Sequence, residues 1–220
     1  MTVVDAPPRA IAPDERLPPP IEVSDAERAR LFDVARWALA AAAHGQPELG
    51  LAQPPVVPGS EASEEHRGPA FVTLRIGGEL RGCIGTLDTE SPWPTSVARA
   101  AVSAALHDPR FNPVTEIELA AIELEVSLLG PFVALDDPFA FRLGLDGLLV
   151  TRGMARGLLL PEVAPTFGLD HEAMLAATCA KAGLPPGAWR EPGTTVFAFR
   201  TAHFGGPALA GSKAAPVTAF

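Results

Sequence analysis

Residues 71–84 read FVTLRIGGELRGCI, and this stretch predicts a β-hairpin. Two runs rich in strand-forming residues flank the pair Gly77-Gly78. A two-residue hairpin turn needs positive φ at both of its central positions, which favours glycine there. Two antiparallel strands joined in this way are expected to form the start of an antiparallel sheet, with the rest of the chain packed around them.

The register of this hairpin decides which side chains share a face of the sheet. A two-residue turn pairs Val72 with Cys83, and strand alternation then places Glu79, Arg81 and Cys83 on one face. A β-bulge at Gly82 is the alternative, because one extra residue moves every later side chain to the opposite face.

The segments on either side of the hairpin alternate irregularly between helical and strand patterns. The predicted elements are a helix from Ser24 to Gly45, a helix over Pro94–Leu106, a strand over Ile122–Leu128, strands near 147–151 and 157–160, a helix from Asp170 to Lys181, and a last strand over Thr194–Phe204. Hairpins mixed with helices, without a regular βαβ order, predict an α+β fold of mainly antiparallel sheet with flanking helices.

Proline and glycine mark the expected limits of the folded domain. Residues 1–23 are proline-rich and predict a disordered tail, and residues 205–220 predict a flexible one. The domain between them is expected to span residues 24–204, with a long loop over residues 46–69.

The composition excludes several classes of function. The formal charge is −9, from 17 basic and 26 acidic residues, so neither a nucleic acid nor an anionic membrane is an expected partner. No apolar run approaches the ~20 residues that span a bilayer. The first residues lack the pattern of a signal peptide, and two cysteines make no disulfide framework, so we expect a cytoplasmic protein.

Cys83 is the first candidate for chemistry. It lies between Gly82 and Gly85, two glycines that would leave its thiol uncovered, and Arg81 would favour the thiolate, which is the nucleophilic form. The alternative is that Cys83 is a small buried apolar residue, as cysteines commonly are. Cys179 lies within an alanine-rich helix and is expected in the core.

Glu125 is the second candidate, on the polar face of a predicted strand. If that strand neighbours the hairpin, Glu125 would orient Arg81 or act as an acid or base; otherwise it is a solvated surface residue. The turn Asp108-Pro109-Arg110-Phe111 predicts an Asp108–Arg110 pair with a structural role. No zinc, calcium or nucleotide-binding pattern is present, so no metal is expected and the sequence identifies no cofactor.

The sequence resembles the AMMECR domain family, which is found in archaea, bacteria and humans. The motif that carries this resemblance is LRGCIGT at residues 80–86. The resemblance continues, in order, through DPRF at 108–111, EVSLL at 125–129, GLDGL at 144–148, RGLLLPEVA at 156–164, TCAKAGL at 178–184 and Trp189. The resemblance therefore covers residues 24–204.

The resemblance implies an α+β fold with antiparallel sheet in two interlocked lobes. Members in many prokaryotes resemble protein A of the three-part AmmeMemoRadiSam system. A Memo-type protein and a radical SAM enzyme are the other two members of that system, and they are therefore the partners that the resemblance implies. The family has no settled activity to carry over.

Two hypotheses of function follow. In the first, the chain is a thiol-dependent enzyme or redox component: Cys83 is the nucleophile or redox centre, Arg81 stabilises the thiolate or binds an anionic substrate, and Glu125 gives acid–base help. In the second, the chain is a non-catalytic module that binds a ligand or another protein, and Cys83 fills space behind the glycines. The absence of a recognisable base, metal site or cofactor loop favours the second hypothesis.

Overall fold

The computed structural model describes residues 20–52 and 66–209 of the 220-residue chain. These residues form two compact units. The first contains the described residues up to 130 together with residues 201–209, and the second contains residues 131–200. The chain thus leaves the first unit after Gly130 and returns to it at Thr201.

Helices and strands are mixed along the chain, as the sequence predicts. In order they are α1 (Asp25–Ala43), α2 (Pro47–Leu51), β1 (Ala70–Ile76), β2 (Glu79–Thr86), α3 (Trp93–Leu106), β3 (Ile122–Leu129), β4 (Val133–Ala134), β5 (Gly147–Arg152), β6 (Ala155–Leu159), α4 (Val163–Phe167), α5 (His171–Lys181), β7 (Thr195–Phe199) and β8 (Thr201–Pro207). Short 3-10 turns cover Glu116–Ala120 and Ala188–Arg190. The predicted α+β class is confirmed.

Each unit is built on a four-stranded sheet in which every strand pair is antiparallel. The sheet of the first unit has the order β2-β1-β3-β8, and that of the second has the order β4-β7-β5-β6. In the first sheet β2 and β8 are therefore the edge strands. This order matters for the site, because Cys83 lies on one of these edges.

The core of the first unit lies between one face of its sheet and the helices α1 and α3. α1 begins at the predicted cap, where the Ser24 side chain accepts a hydrogen bond from the Glu27 N–H (3.2 Å). The apolar stripe of α1 is buried, as are the alternate positions of β1 and β3. The buried strand residues are Ala70, Val72, Leu74, Ile122, Leu124, Val126 and Leu128. Residues of odd number on β1 and β3, including Thr73 and Glu125, therefore point to the opposite face.

The second unit has a core of its own between its sheet and α5. Cys179 belongs to this core and is 0% exposed, which confirms the prediction for it. Asp146 is also buried, and it accepts hydrogen bonds from the backbone N–H and the guanidinium of Arg142. Arg200 lies 3.5 Å from the same carboxylate, so two cations balance one buried anion.

The limits of the domain differ from the predicted ones. α2 lies within the segment 46–69 that was expected to be a loop, and residues 53–65 of that segment fall outside the described residues. Val23 is only 8% exposed and packs in the core, although it ends the predicted tail. The predicted last strand over Thr194–Phe204 is two strands, because β7 belongs to the sheet of the second unit and β8 to that of the first. β8 continues past residue 204 to Pro207, and residues 1–19 and 210–220 lie outside the described residues.

Glycine explains the longer last strand. Gly205 pairs with Glu125, and a Cβ at Gly205 would lie 2.7 Å from the Leu124 carbonyl oxygen. Only glycine allows β8 to lie this close to β3 at residue 205. Glycine usually weakens a strand, but here the strand pairing requires it. Among the described residues no helix is both long and apolar enough to cross a membrane.

Gly82→Ala tests the packing of β2 on α3. A Cβ at Gly82 would overlap with the backbone carbonyl oxygen of Ala104, which no side-chain movement relieves. We expect a loss of about 1–3 kcal/mol in the free energy of unfolding, the usual cost of overpacking, measured by urea denaturation.

Gly206→Ala is the matched control in the same sheet. Its Cβ would meet only the Phe32 ring, at 3.5 Å, which is an ordinary contact. Equal stability of the Gly82→Ala variant and the wild type would show that β2 does not pack as described.

Candidate functional site

The hairpin contains a β-bulge that changes the predicted register. Ile76 pairs with Glu79 as expected, but Arg81 is an extra residue: Arg75 pairs with Leu80 and Leu74 pairs with Gly82. Cys83 consequently pairs with Thr73, so the expected pairing with Val72 is wrong.

The bulge separates residues that were expected to share a face. Ile76 and Thr73 are an odd number of positions apart on β1, so their partners Glu79 and Cys83 lie on opposite faces. The predicted shared face of Glu79, Arg81 and Cys83 is not formed. The physical reason is the backbone contact of Gly82 with α3, which fixes Gly82 against the helix and leaves Arg81 as the extra residue.

Cys83 begins a row of residues that crosses the sheet on the face opposite α1 and α3. The row runs from Cys83 through Thr73 and Glu125 to Gly205. The Thr73 hydroxyl donates a hydrogen bond to the Cys83 Sγ (3.3 Å). Glu125 is two strands from Cys83, about 10 Å at the usual strand spacing, and its Oε2 lies 3.6 Å from Arg75 Nε. Cys83 and Glu125 thus share a face with Thr73 between them.

The turn after α3 covers the outer edge of β2. The Cys83 N–H donates to Asp108 Oδ2 (2.8 Å), and the Arg110 guanidinium donates to both Asp108 oxygens, from Nε (2.9 Å) and Nη2 (2.7 Å). The Asp108 side chain is 2% exposed. The hydrogen bond from Arg110, with further ones from backbone N–H groups, lowers the pKa of Asp108 to about 2. The predicted Asp108–Arg110 pair is confirmed, and it also fixes the backbone of Cys83.

Arg110 is the cation that acts on Cys83. Its Nη2 lies 3.5 Å from the Cys83 carbonyl oxygen. The pKa of Arg110 is raised chiefly by its hydrogen bond to Asp108 and also by the nearby Cys83 side chain. A guanidinium held near a thiol in this way favours the thiolate.

Arg81 is bound to a different partner. Its Nε donates to Glu118 Oε1 (2.7 Å) and its Nη2 to Oε2 (3.2 Å), and its side chain is only 15% exposed. These bonds, with those from Thr115, lower the pKa of Glu118 to about 2. The Phe111 ring lies near both guanidinium groups, 5.8 Å from that of Arg81 and 5.5 Å from that of Arg110. The positive charge of Arg81 is therefore paired with the Glu118 carboxylate.

The space beside Gly82 and Gly85, where a side chain would lie, is occupied by the protein's own atoms. Gly82 lies against the Ala104 carbonyl, and a Cβ at Gly85 would overlap with the Phe71 ring. Cys83 itself is of intermediate exposure. The glycines thus serve packing and do not open space over the thiol.

The sequence analysis missed four residues of this face and edge. Thr73 and the Ser127–His203 pair, joined at 3.1 Å between Oγ and Nδ1, lie on the face of Cys83, and Glu118 lies at its edge. Thr115 and Glu118 form a capping box, and that pattern was the available signal for Glu118. Strand alternation already placed Ser127 on the polar face, but its partner required the pairing of β3 with β8.

We expect Glu118→Gln to reduce the dependence of stability on pH in acid. The Glu118 pKa is lowered from 4.5 to about 2, so its ionised form stabilises the fold above pH 4.5, and this stabilisation is lost as the pH falls towards 2. The variant should be less stable than the wild type at pH 7, with the difference shrinking towards pH 2. Urea denaturation at a series of pH values measures this.

Glu116→Gln is the control, because Glu116 is an exposed neighbour on the same 3-10 turn. It should follow the wild-type curve. A Glu118→Gln curve parallel to that of the wild type from pH 5 to pH 2 would contradict the strength of the Arg81–Glu118 pair.

Comparison with known proteins gives one consistent family. The AMMECR1 family model matches residues 32–204. A protein of Methanothermobacter thermautotrophicus is 44% identical over 180 residues, covering 79% of this chain and 91% of that protein. Protein MJ0810 of Methanocaldococcus jannaschii is 41% identical over 152 residues, covering 66% of this chain and 75% of that protein.

A solved structure agrees with the family model. The crystal structure of the uncharacterised protein PH0010 from Pyrococcus horikoshii is similar with a TM-score of 0.70 and 33% identity, covering 81% of this chain and 91% of that chain. The family match over residues 32–204 contains every strand of both sheets except the end of β8, and it includes the hairpin that carries Cys83. The chain therefore belongs to the AMMECR1 family.

Proposed function

We propose that the chain is a thiol-dependent enzyme in which Cys83 is the nucleophile. The observation that carries the proposal is the hydrogen bond to its sulphur, together with a guanidinium near the same residue. The Thr73 hydroxyl donates to Sγ at 3.3 Å, and the Arg110 guanidinium acts on the same residue from the edge of the sheet. A hydrogen-bond donor and a positive charge both favour a thiolate over a thiol.

The backbone of Cys83 is held in place before any substrate arrives. Asp108 binds its N–H and orients Arg110 at the same time, so one carboxylate fixes both the nucleophile and the cation. Such preorganisation lowers the cost of reaching a reactive geometry. In the reaction the sulphur forms a bond to an electrophilic carbon of the substrate, and the leaving group departs with the electron pair of the broken bond.

Glu125 has a separate role in this proposal. At about 10 Å from Cys83 it does not exchange a proton with the thiol directly. Thr73 is only 8% exposed, so a substrate would have to extend past its buried side chain for its far end to reach Glu125, which then gives a proton to it or takes one from it. Arg75, 3.6 Å away, orients the Glu125 carboxylate.

A redox role would use the same thiolate. The sulphur would attack a disulfide of another molecule, form a mixed disulfide and release a thiolate, so no further oxidant is needed. Cys179 is 0% exposed in the core of the second unit, so it does not serve as the resolving thiol. The second thiol would then come from a partner or from a small molecule.

A second candidate function is a non-catalytic binding module. It is favoured by the way the protein itself occupies the surroundings of Cys83. Gly82 and Gly85 accommodate Ala104 and Phe71, and the Cys83 N–H is taken by Asp108. In this view the hydrogen bond from Thr73 only satisfies a half-buried sulphur.

The family resemblance supports a proposal about partners. We propose that the chain acts with a Memo-type protein and a radical SAM enzyme. Co-expression of the three proteins from one genome, followed by size-exclusion chromatography with light scattering, should show co-elution of this chain with at least one of them. Separate elution of all three at micromolar concentrations would contradict the proposal.

The thiol proposal predicts fast alkylation of Cys83 at neutral pH. We expect iodoacetamide to label Cys83 faster in the folded chain than in the urea-unfolded chain, as measured by peptide mass spectrometry. Thr73→Val should slow this labelling at pH 7 by about tenfold, because a hydrogen bond to a charged group contributes roughly 1.5–3 kcal/mol. Thr73→Ser keeps the hydroxyl and should restore most of the rate.

Two arginine variants separate the roles of the cations. Arg110→Gln should slow the labelling of Cys83, whereas Arg81→Ala should leave it within about twofold, because the Arg81 charge is bound to Glu118. Cys179 is the internal control and should react only on unfolding. If Cys83 also reacts only on unfolding, the binding-module function is the correct one.

A further inference from the structure

The Asp108–Arg110 pair directs its positive end towards solvent. The Asp108 side chain is 2% exposed, whereas the Arg110 side chain is 49% exposed. Asp108 accepts four hydrogen bonds, from the backbone N–H groups of Cys83 and Arg110 and from Nε and Nη2 of Arg110. A pair with a buried anion and an exposed cation is weakly charged overall, but it presents a cation at the surface.

The orientation of Arg110 is fixed, and some of its donors remain. Nε and Nη2 point to Asp108, and Nη2 also approaches the Cys83 carbonyl. Within residues 20–52 and 66–209 no hydrogen bond joins Nη1 to a protein acceptor. A guanidinium has five N–H donors in a rigid plane, so this arrangement holds the Nη1 edge ready for an oxyanion.

The neighbouring arginine is arranged the other way. Arg81 is 15% exposed, and its partner Glu118 is 28% exposed, so that pair presents more of its anion than of its cation. The Phe111 ring lies near both guanidinium groups, 5.5 Å from that of Arg110. Of Arg81 and Arg110, it is therefore Arg110 that presents its positive charge to solvent.

We infer that Arg110 is a specificity residue that binds an oxyanion, a carboxylate or a phosphate, on the substrate whose electrophilic carbon Cys83 attacks. The inference rests on the proposed function, since it names the substrate class of that same thiol. The contact of Arg110 with the Cys83 carbonyl keeps its guanidinium beside the residue that carries the nucleophile. The substrate is then a small anionic electrophile.

Iodoacetate and iodoacetamide test this inference directly. Both present the same electrophilic carbon: the sulphur forms a C–S bond, the C–I bond breaks, and iodide leaves with the electron pair. Only iodoacetate carries a carboxylate. We expect the ratio of the iodoacetate rate to the iodoacetamide rate to be several-fold higher at Cys83 than for glutathione, with saturation at high iodoacetate.

Arg110→Gln should reduce that ratio by about three- to tenfold, because it removes a charged donor at a half-exposed position. Arg110→Lys keeps the positive charge but lacks the planar edge, so its ratio should be intermediate. The lysine can still pair with the buried Asp108, so this variant should fold even if Arg110→Gln does not. Arg99→Gln is the control: Arg99 is 53% exposed and lies 3.5 Å from Asp88, a matched surface pair. Its ratio should equal that of the wild type.

Protection by simple anions identifies the oxyanion. Inorganic phosphate that slows alkylation by iodoacetate at constant ionic strength, while acetate does not, would indicate a phosphate-bearing substrate. The reverse would indicate a carboxylate. Sodium chloride at the same ionic strength measures general screening.

The outcomes separate this inference from the proposed function. Fast labelling by both reagents, with a ratio like that of glutathione and no change in Arg110→Gln or Arg110→Lys, would leave the thiol function intact and overturn the role of Arg110. No labelling of the folded chain by iodoacetamide would overturn the thiol function itself, and the inference with it.

Discussion

The contact between the backbone of Gly82 and the Ala104 carbonyl on α3 determines the arrangement around Cys83. Because Gly82 is fixed against the helix, the extra residue of the bulge is Arg81. This moves Arg81 out of the strand alternation, towards Glu118, and turns the Cys83 side chain towards Thr73. The close approach of these two backbones thus separates Arg81 from Cys83. Arg81 binds Glu118, whereas Cys83 accepts a hydrogen bond from Thr73.

Much of the fold follows from local patterns, whereas the register of the hairpin does not. The Gly77-Gly78 turn, the Ser24 cap of α1 and the alternation of β3 are each visible within a few residues of sequence. The bulge depends on α3, which is distant from β2 along the chain, and a shift of one residue exchanges the two faces of a strand. A hairpin read alone therefore predicts the turn correctly and the face of Cys83 wrongly.

The site shows the same division. Strand alternation placed Glu125 on the polar face, and the structure brings it to the face of Cys83 across Thr73. The turn after α3 was expected to be structural, and it is, but the same Asp108–Arg110 pair also holds the backbone of the cysteine. Sequence shows that two charges are neighbours; only the tertiary structure shows which of the two is buried.

The division of the chain at Gly130 and Thr201 has a consequence for the order of folding. The second unit is continuous in sequence, so all of its strands have been synthesised before β8 begins. The first sheet is discontinuous: β3 ends at Leu129 and waits for its outer neighbour until the whole intervening unit has left the ribosome. During that interval β3 is an open edge, available to any extended chain nearby. Only Arg200 separates β8 from β7, a central strand of the second sheet, so synthesis completes both sheets late and the sheet that carries Cys83 last.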